Sequence, residues 1–188
     1  MPETDRTEEL DLARQARAGS TAAFGRLVSL HHQRVFAFLL ALTRQRQDAE
    51  DLTQETFLRA WSKFHRYDPE QPLLPWLFTL ARRLSISALR RKRPVPAEAV
   101  EVGATGSDNR ALWLWETAKA DLTADSYTAL WLHYREEMPL KEVATIMGKR
   151  EGAIKVMLHR ARATLAAKVR DYPSVPLTDA PQPHRILS

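Results

Sequence analysis

Apolar residues recur at the spacing of an α-helix along almost the whole sequence, and one stretch without any period divides it in two. Residues 94–108 contain two prolines, two glycines and one serine, with only isolated apolar residues between them. No segment alternates apolar and polar residues as a β-strand would. The pattern predicts an all-α protein of two small helical domains, residues 1–93 and 109–170, joined by a flexible linker. Residues 171–188, with four prolines, are predicted to form a disordered tail.

Capping and turn residues set the predicted helix boundaries. Gly19 stops the first helix, and Ser20 and Asp48 cap the second and the third. Two prolines exclude a helix from residues 65–74, whereas Pro75 suits the first turn of the helix that follows. The predicted helices are residues 8–18, 20–42, 48–64, 76–93, 109–121, 124–137, 140–147 and 151–169.

Composition narrows the class of partner. The net charge of +5 and the sequence pI of about 9.7 favour a polyanion, either nucleic acid or an acidic membrane surface.

Because cysteine is absent, disulfides, thiolate metal sites and cysteine nucleophiles are excluded. Adjacent His31 and His32 diverge by about 100° around a helix, so they predict no metal site. The acidic first twelve residues and a longest apolar run of only residues 35–42 predict a soluble, cytoplasmic protein.

Residues 140–162 carry the strongest local signal. A short helix, a turn centred on Gly148 and a second helix follow one another, which predicts a helix-turn-helix. One stripe of the second helix is apolar, and the opposite stripe is mostly basic, which suits phosphates and base edges in a DNA major groove. The alternative is a solvated basic face on a helical hairpin. The candidate DNA-binding residues are Arg150, Glu151, Gly152, Lys155, His159, Arg160 and Arg162.

An acidic face is predicted on the third helix, where Asp51, Glu55 and Leu58 fall together away from the apolar stripe. An exposed leucine among acids, on an otherwise basic protein, favours a protein partner with a basic and partly apolar surface. The alternative is that the acids only stabilise the start of the helix and that a neighbouring helix buries Leu58. Catalysis and metal binding are not expected here, because no third ligand lies at helical spacing.

Aromatic and basic residues are interleaved around the proline-broken loop of residues 65–74. Aromatic rings stack on bases and cations attract phosphates, so the pattern is typical of a site for single-stranded nucleic acid. The alternative is that the aromatic residues pack the core, as we expect of Trp76 and Phe78, while His65 and Tyr67 are expected at the surface. The candidate residues are Lys63, His65, Arg66, Tyr67, Arg82, Arg83, Arg90 and Arg91.

Three motifs in this order resemble the extracytoplasmic-function (ECF) sigma factors over nearly all of residues 10–169. The first is D-A-E-D-L-T-Q-E-T-F-L-R-A-W at residues 48–61. The second is P-W-L-F-T-L-A-R at residues 75–82, followed by L-R-R-K-R, and the third is G-A-I-K-V-M-L-H-R-A-R at residues 152–162. The predicted linker is too short to hold the middle domain of the larger sigma factors. Fully extended it reaches roughly 50 Å, enough for two domains to read one duplex more than a turn apart.

The resemblance implies a promoter-recognition subunit of RNA polymerase that is not itself an enzyme and has no cofactors, because phosphoryl transfer belongs to the polymerase. It implies that the clamp helices of core polymerase bind Asp48, Glu50, Asp51, Gln54, Glu55 and Leu58. It also implies that the first domain recognises and melts the −10 promoter element, that residues 65–74 capture an unstacked base, and that the helix of residues 150–162 reads the −35 element. An inhibitory anti-sigma factor is a common partner in this family.

Some positions depart from the family pattern. Arg83 and Ser87 stand where an Asn and an Asp are common, and Val156 and Met157 replace a common Ser-Arg pair. The promoter sequence therefore does not carry over from the resemblance. From another class of function, a stand-alone helix-turn-helix regulator is the alternative, and it would bind duplex operator DNA without polymerase.

Overall fold

The computed structural model describes residues 3–91 and 109–170, with side chains at residues 6–90 and 113–170. All regular structure within these ranges is helical, which confirms the predicted fold class. The elements are α1 Glu3–Arg17, α2 Thr21–Thr43, α3 Arg46–Lys63, a 3-10 turn Phe64–Arg66, α4 Leu73–Arg91, α5 Asn109–Asp121, α6 Ala124–Leu130, a π-helical turn Trp131–Arg135, α7 Leu140–Met147 and α8 Glu151–Arg170. The predicted linker and tail lie outside the described residues.

Helix α2 is the central helix of the N-terminal half. It contacts α1, α3 and α4, and its fully buried Phe38 packs against Phe78 of α4 with ring centroids 4.7 Å apart. Ser20 caps α2 as predicted, because its hydroxyl oxygen accepts a hydrogen bond from the backbone N–H of Ala23 at 3.2 Å. A cap of this kind stabilises a helix by about 1 kcal/mol. His31 is buried and His32 is exposed, so the two side chains point in different directions.

The start of α3 differs from the sequence-based prediction. The helix begins at Arg46, and its N-cap residue, Gln45, makes no side-chain capping hydrogen bond. The prediction that Asp48 caps the helix is therefore wrong: Asp48 lies within the first turn. The carboxylate still stabilises the helix there, through its attraction to the positive end of the helix dipole.

The C-terminal half packs around an aromatic cluster. Trp115 of α5 lies 5.3 Å from Trp131 and 6.1 Å from Tyr127, measured between ring centroids. Thr123 caps α6 by accepting a hydrogen bond from the N–H of Ser126 at 3.3 Å. The helix predicted at residues 124–137 is divided, because a π-helical turn replaces its second half.

Helices α7 and α8 form the predicted helix-turn-helix. Gly148 ends α7 with a φ of 63°, a left-handed conformation that a glycine adopts without the strain that a Cβ causes. The apolar stripe of α8 faces inward, since Ile154, Leu158 and Ala161 are buried. Both helices therefore pack their apolar sides together and leave the other side of α8 at the surface.

The two halves of the structure contact each other directly. Helix α4 of the first half packs against α7 of the second. Polar contacts also cross this boundary: Arg82 with Asp125, Arg34 with Glu136, and the Arg44 side chain with a backbone carbonyl of α5. In the described part of the chain, no helix is both long and apolar enough to cross a membrane.

Candidate nucleic-acid and protein interfaces

Helix α3 presents the predicted acidic face. Asp51, Gln54 and Leu58 are exposed, and Asp48, Glu50 and Glu55 are partly exposed. Leu58 is 66% exposed, so the alternative that a neighbouring helix buries it is wrong. The opposite side of α3 supplies the core residues Ala49, Thr53, Phe57 and Ala60.

The acids on this face make contacts one helical turn away. Glu50 pairs with Arg46 at 2.8 Å and Glu55 with Arg59 at 2.6 Å, while Asp51 accepts a hydrogen bond from the Gln47 amide at 3.1 Å. Pairs of this kind, exposed and four residues apart, contribute only about 0.3–0.5 kcal/mol each. A partner with basic side chains can therefore replace them at little cost.

An apolar groove lies beside the acidic face, between α2 and α3. One edge of the groove is formed by Leu58 and Gln54. Its floor is formed by three half-buried side chains, those of Phe24, Val28 and Trp61. Helical spacing does not predict this groove, because it places Phe24 and Val28 in the apolar stripe of α2. The acidic face together with the groove combines negative charge and apolar area on one side of the N-terminal half.

The candidate residues for single-stranded nucleic acid do not share one environment. Lys63, His65 and Arg66 are exposed near the end of α3, and Arg83 and Arg90 are exposed on α4. Arg83 and Arg90 lie seven residues apart and therefore on the same face of α4. The side chain of Arg91 lies outside the described residues. Arg66 donates a hydrogen bond to the ring of His65 at 3.1 Å.

Tyr67 was expected at the surface, and that expectation is wrong. Its side chain is 3% exposed and lies between Phe64 and Trp76, with ring centroids 5.1 and 5.0 Å away. Its hydroxyl donates a hydrogen bond to the carbonyl of Gln71. Burial, and then the charges of Glu9 and Asp68, raise the pKa of Tyr67, so the hydroxyl stays protonated. Tyr67 therefore shapes the loop of residues 67–72 from within and does not offer a ring to a base.

Arg82 is on the predicted nucleic-acid face of α4 but is largely covered. Its side chain is 14% exposed, and its guanidinium donates a hydrogen bond to Asp125 of α6 at 2.9 Å. Burial alone would raise the pKa of Asp125, but hydrogen bonds from Lys149 and Arg82 and their charges outweigh burial and lower it. Asp125 is therefore ionised at neutral pH, and Arg82 makes a charged contact with the C-terminal half.

The polar face of α8 is exposed as predicted. Its exposed residues include the whole predicted set, namely Arg150, Glu151, Gly152, Lys155, His159, Arg160 and Arg162. Lys155 pairs with Glu151 at 2.9 Å, one turn away. Val156 is 49% exposed on the same face and was missed. Its spacing of four residues from both Gly152 and Arg160 could have placed it there.

Gly152 has no intramolecular reason to be a glycine. A Cβ built at this position meets no atom within 4 Å, and the residue lies in regular helix without a positive φ. Glycine in a helix costs up to about 1 kcal/mol relative to alanine. Because no atom of the protein occupies the space beside Gly152, a molecule from outside can approach the backbone closely there.

The described residues contain no candidate metal site. Among residues 6–90 and 113–170, no cluster of three or more His, Asp or Glu side chains could hold a metal ion. The surfaces found instead are one acidic and apolar face, one set of exposed arginines, and one basic helix face.

Family models match both halves of the chain. The model for Sigma-70 region 2 matches residues 27–95, and the model for Sigma-70 region 4 matches residues 114–165. The chain is 36% identical to SigM, an ECF RNA polymerase sigma factor of Bacillus subtilis, over 142 residues that cover 71% of this chain and 86% of SigM. It is also 36% identical to the probable RNA polymerase sigma factor RfaY of Xanthomonas campestris pv. campestris. That match covers 80% of this chain but only 41% of the length of RfaY.

Solved structures share the arrangement of helices. The sigma factor RpoE of Bartonella quintana, in complex with the anti-sigma factor NepR, matches with a TM-score of 0.70 and 26% identity, over 78% of this chain and 96% of that one. CnrH, in complex with the cytosolic domain of CnrY, matches with a TM-score of 0.68 and 25% identity, over 88% and 99% of the two chains. A two-part helical fold with regions 2 and 4 in order defines a class of transcription initiation factor. The chain belongs to the ECF group of the sigma-70 family of RNA polymerase sigma factors.

Proposed function

We propose that this protein directs promoter-specific transcription initiation, as a subunit that binds core RNA polymerase and recognises the −10 and −35 promoter elements. The observation that carries the proposal is the match to region 2 and region 4 in order along one chain. The protein acts as an initiation factor without catalytic groups of its own, and phosphoryl transfer belongs to the polymerase. The proposed domains are residues 1–93 and 109–170, and the proposed location is the cytoplasm.

The acidic face of α3 is the proposed site for core polymerase. Its residues are Asp48, Glu50, Asp51, Gln54, Glu55 and Leu58, and the exposure of Leu58 supports it. An apolar contact supplies affinity, while the surrounding carboxylates select a basic partner and speed its encounter. The groove formed by Phe24, Val28 and Trp61 extends the apolar part of the same surface.

The −10 element is proposed to meet the exposed cations and His65 on the first domain. Lys63, Arg66, Arg83 and Arg90 supply positive charge for phosphates, and the exposed ring of His65 is available for stacking on a base. Arg82 joins this set only when its contact with Asp125 is released. Tyr67 supports the loop of residues 67–72 from the core.

The −35 element is proposed to receive helix α8 in its major groove. Arg150, Lys155, Arg160 and Arg162 supply donors to phosphates and base edges. Exposed Val156 offers an apolar contact of the kind that recognises a thymine methyl group. Gly152, near the start of α8, permits close approach of the DNA.

An anti-sigma factor is the proposed regulatory partner. The similar Bartonella sigma factor was solved in complex with an anti-sigma factor. The acidic and apolar face of α3 is an accessible surface on which such a partner could compete with polymerase.

In vitro transcription with core RNA polymerase tests the proposal. With this protein added, we expect new transcripts from promoters of its own genome, each with a common sequence near −10 and another near −35. Core polymerase alone, and core polymerase with an unrelated sigma factor, are the controls. Absence of new transcripts, together with a footprint on duplex DNA without polymerase, would identify a stand-alone regulator instead.

Replacing Gly152 with alanine is expected to change stability and function in opposite directions. The free energy of unfolding should rise by up to about 1 kcal/mol, because alanine favours helix and its Cβ meets no atom. Transcription that depends on the −35 element should fall, because the Cβ occupies the space proposed for DNA. Urea denaturation and promoter assays measure the two effects.

Gly25→Ala is the matched control for this change. Gly25 also lies in a helix, and a Cβ there also meets no atom within 4 Å. This variant should gain stability similarly but transcribe normally. Normal −35 dependence in Gly152→Ala would show that DNA does not approach this position closely.

A further inference from the structure

We propose that the free protein carries its own latch: ion pairs between the two domains hold it in a closed form in which Arg82 is covered and the −10 and −35 surfaces lie too close together to read a promoter. The inference rests on the proposed −10 and −35 sites. The latch is defined by two ion pairs, Arg34 with Glu136 and Arg82 with Asp125, around the contact of α4 with α7.

The first ion pair joins the middle of α2 to the segment before α7. The guanidinium of Arg34 contacts one oxygen of Glu136 through two nitrogens, at 2.7 and 2.8 Å. The side chain of Glu136 is only 6% exposed. Arg34 is the charged partner of this largely buried side chain, and Arg34 belongs to the other domain.

The segment that carries Glu136 has an unusual backbone. It follows the π-helical turn Trp131–Arg135, and Glu137 has a φ of 55°, a left-handed conformation in which a residue with a Cβ is strained. His133 contacts the carbonyl of Met138 at 2.9 Å and holds the segment closed on itself. The segment is thus shaped to place Glu136 against the first domain.

The second ion pair covers a proposed promoter contact. Arg82 is bound to Asp125, and Asp125 is held by Lys149 at 3.1 Å. Because Lys149 belongs to the helix-turn-helix, the pair links a proposed −10 residue to the proposed −35 reader. A cleft of about 340 Å³ lies nearby, with the loop of residues 69–72 on one side and residues 136–139 on the other. The loop proposed to capture a base therefore faces the second domain.

The closed form is too short to read a promoter. Elements at −10 and −35 are centred about 25 base pairs apart, which is about 85 Å at roughly 3.4 Å per base pair. Packed helices lie about 8–10 Å apart, so α4 and α8, with α7 between them, lie only about 20 Å apart. The first helix of a helix-turn-helix crosses the DNA backbone when the motif binds DNA. In this protein that helix is α7, and α4 covers it. Promoter binding therefore requires the domains to separate.

A distance measurement on the free protein tests the latch without polymerase or DNA. The chain has no cysteine, so Ser62→Cys and Ala167→Cys provide two exposed labelling sites, one in each domain. With spin labels on these two cysteines and no other change, the distance between the labels should have one narrow distribution. Arg34→Glu or Glu136→Arg alone should give longer, broader distances, and the two together should restore the narrow distribution because the ion pair is re-formed with its charges exchanged.

Arg26→Glu is the matched control, since Arg26 also lies on α2 and pairs with Glu8 within the same domain. It makes the same change of charge and should leave the distances unchanged. A broad distribution in the parent protein, or a failure of the exchanged pair to restore the narrow one, would overturn the latch. Neither result would affect the proposed function, which the transcription assay tests separately.

A reducible cross-link tests whether closure inhibits. Cysteines replacing Arg34 and Glu136 remove the first ion pair, but the contact of Arg82 with Asp125 and the packing of α4 on α7 remain, so a reducible bismaleimide can join the two cysteines each time the domains close. We expect the cross-linked protein to lose at least tenfold in transcription and to recover after reduction, whereas each single-cysteine protein treated in the same way stays active. Equal activity before and after reduction would show that closure does not prevent promoter use and would overturn the latch.

Discussion

Asp51→Lys combined with Glu55→Lys is expected to lower the affinity for core RNA polymerase by about 100-fold or more, because two like charges then face a basic partner. Both side chains lie on the acidic face of α3, outside the core. The variant loses only the local contacts with Gln47 and Arg59. The fold should therefore remain intact by circular dichroism and urea denaturation, and loss of binding in a pull-down should accompany loss of transcripts.

Glu8→Lys combined with Asp11→Lys is the matched control. These exposed acids on α1 pair with Arg26 and Arg14, so the variant makes the same change of net charge and also loses local ion pairs. It should bind core polymerase normally. Equal loss in both double variants would assign the effect to net charge, and unchanged binding in the α3 variant would show that polymerase binds elsewhere.

Features determined by neighbours in the sequence were predicted well. Ser20 caps α2, and Gly148 forms the turn of the helix-turn-helix. The exposed face of α8 follows from helical spacing alone, since Ile154 and Leu158 fix which side is buried. Each of these predictions depends on residues within about two turns of one another, where the backbone geometry is the same in any helix.

Features that depend on distant residues were not predictable in this way. Tyr67 combines a hydroxyl with an apolar ring, and only the positions of Phe64 and Trp76 and the carbonyl of Gln71 decide that it is buried. A charged residue gives even less information about its partner. Arg34 and Glu136 are 102 residues apart in sequence, and nothing in their local patterns relates one to the other.

The contact between domains also changes how one prediction is interpreted. Its place in a basic series on α4 predicts that Arg82 contacts nucleic acid, and its chemistry suits a phosphate. In the structure the same guanidinium binds Asp125. The two roles are compatible if they belong to different states, because a carboxylate and a phosphate make the same demands on an arginine. A residue that recognises DNA can thus be covered by a protein carboxylate until the domains separate.

Lys155→Ala combined with Arg162→Ala is expected to abolish most transcription that depends on the −35 element. The two side chains lie seven residues apart on the exposed face of α8. A side chain that binds a base edge through two hydrogen bonds contributes about 1–3 kcal/mol to discrimination, which is roughly 5- to 150-fold for each residue. The free energy of unfolding should change little, because the variant loses only the exposed contact of Lys155 with Glu151 and a 3.3 Å hydrogen bond from Arg162 to a carbonyl of α8.

Lys168→Ala with Arg170→Ala removes the same charge from the last turn of α8 and is the matched control. Holoenzyme binding is measured on promoters with intact and scrambled −35 elements over a range of salt concentrations. A loss confined to the intact element assigns base contacts to Lys155 and Arg162, because phosphate contacts carry no sequence information. An equal loss on every duplex with a shallower salt dependence assigns phosphate contacts. If the control loses as much as the test variant, the basic charge of α8 matters but the proposed recognition face does not.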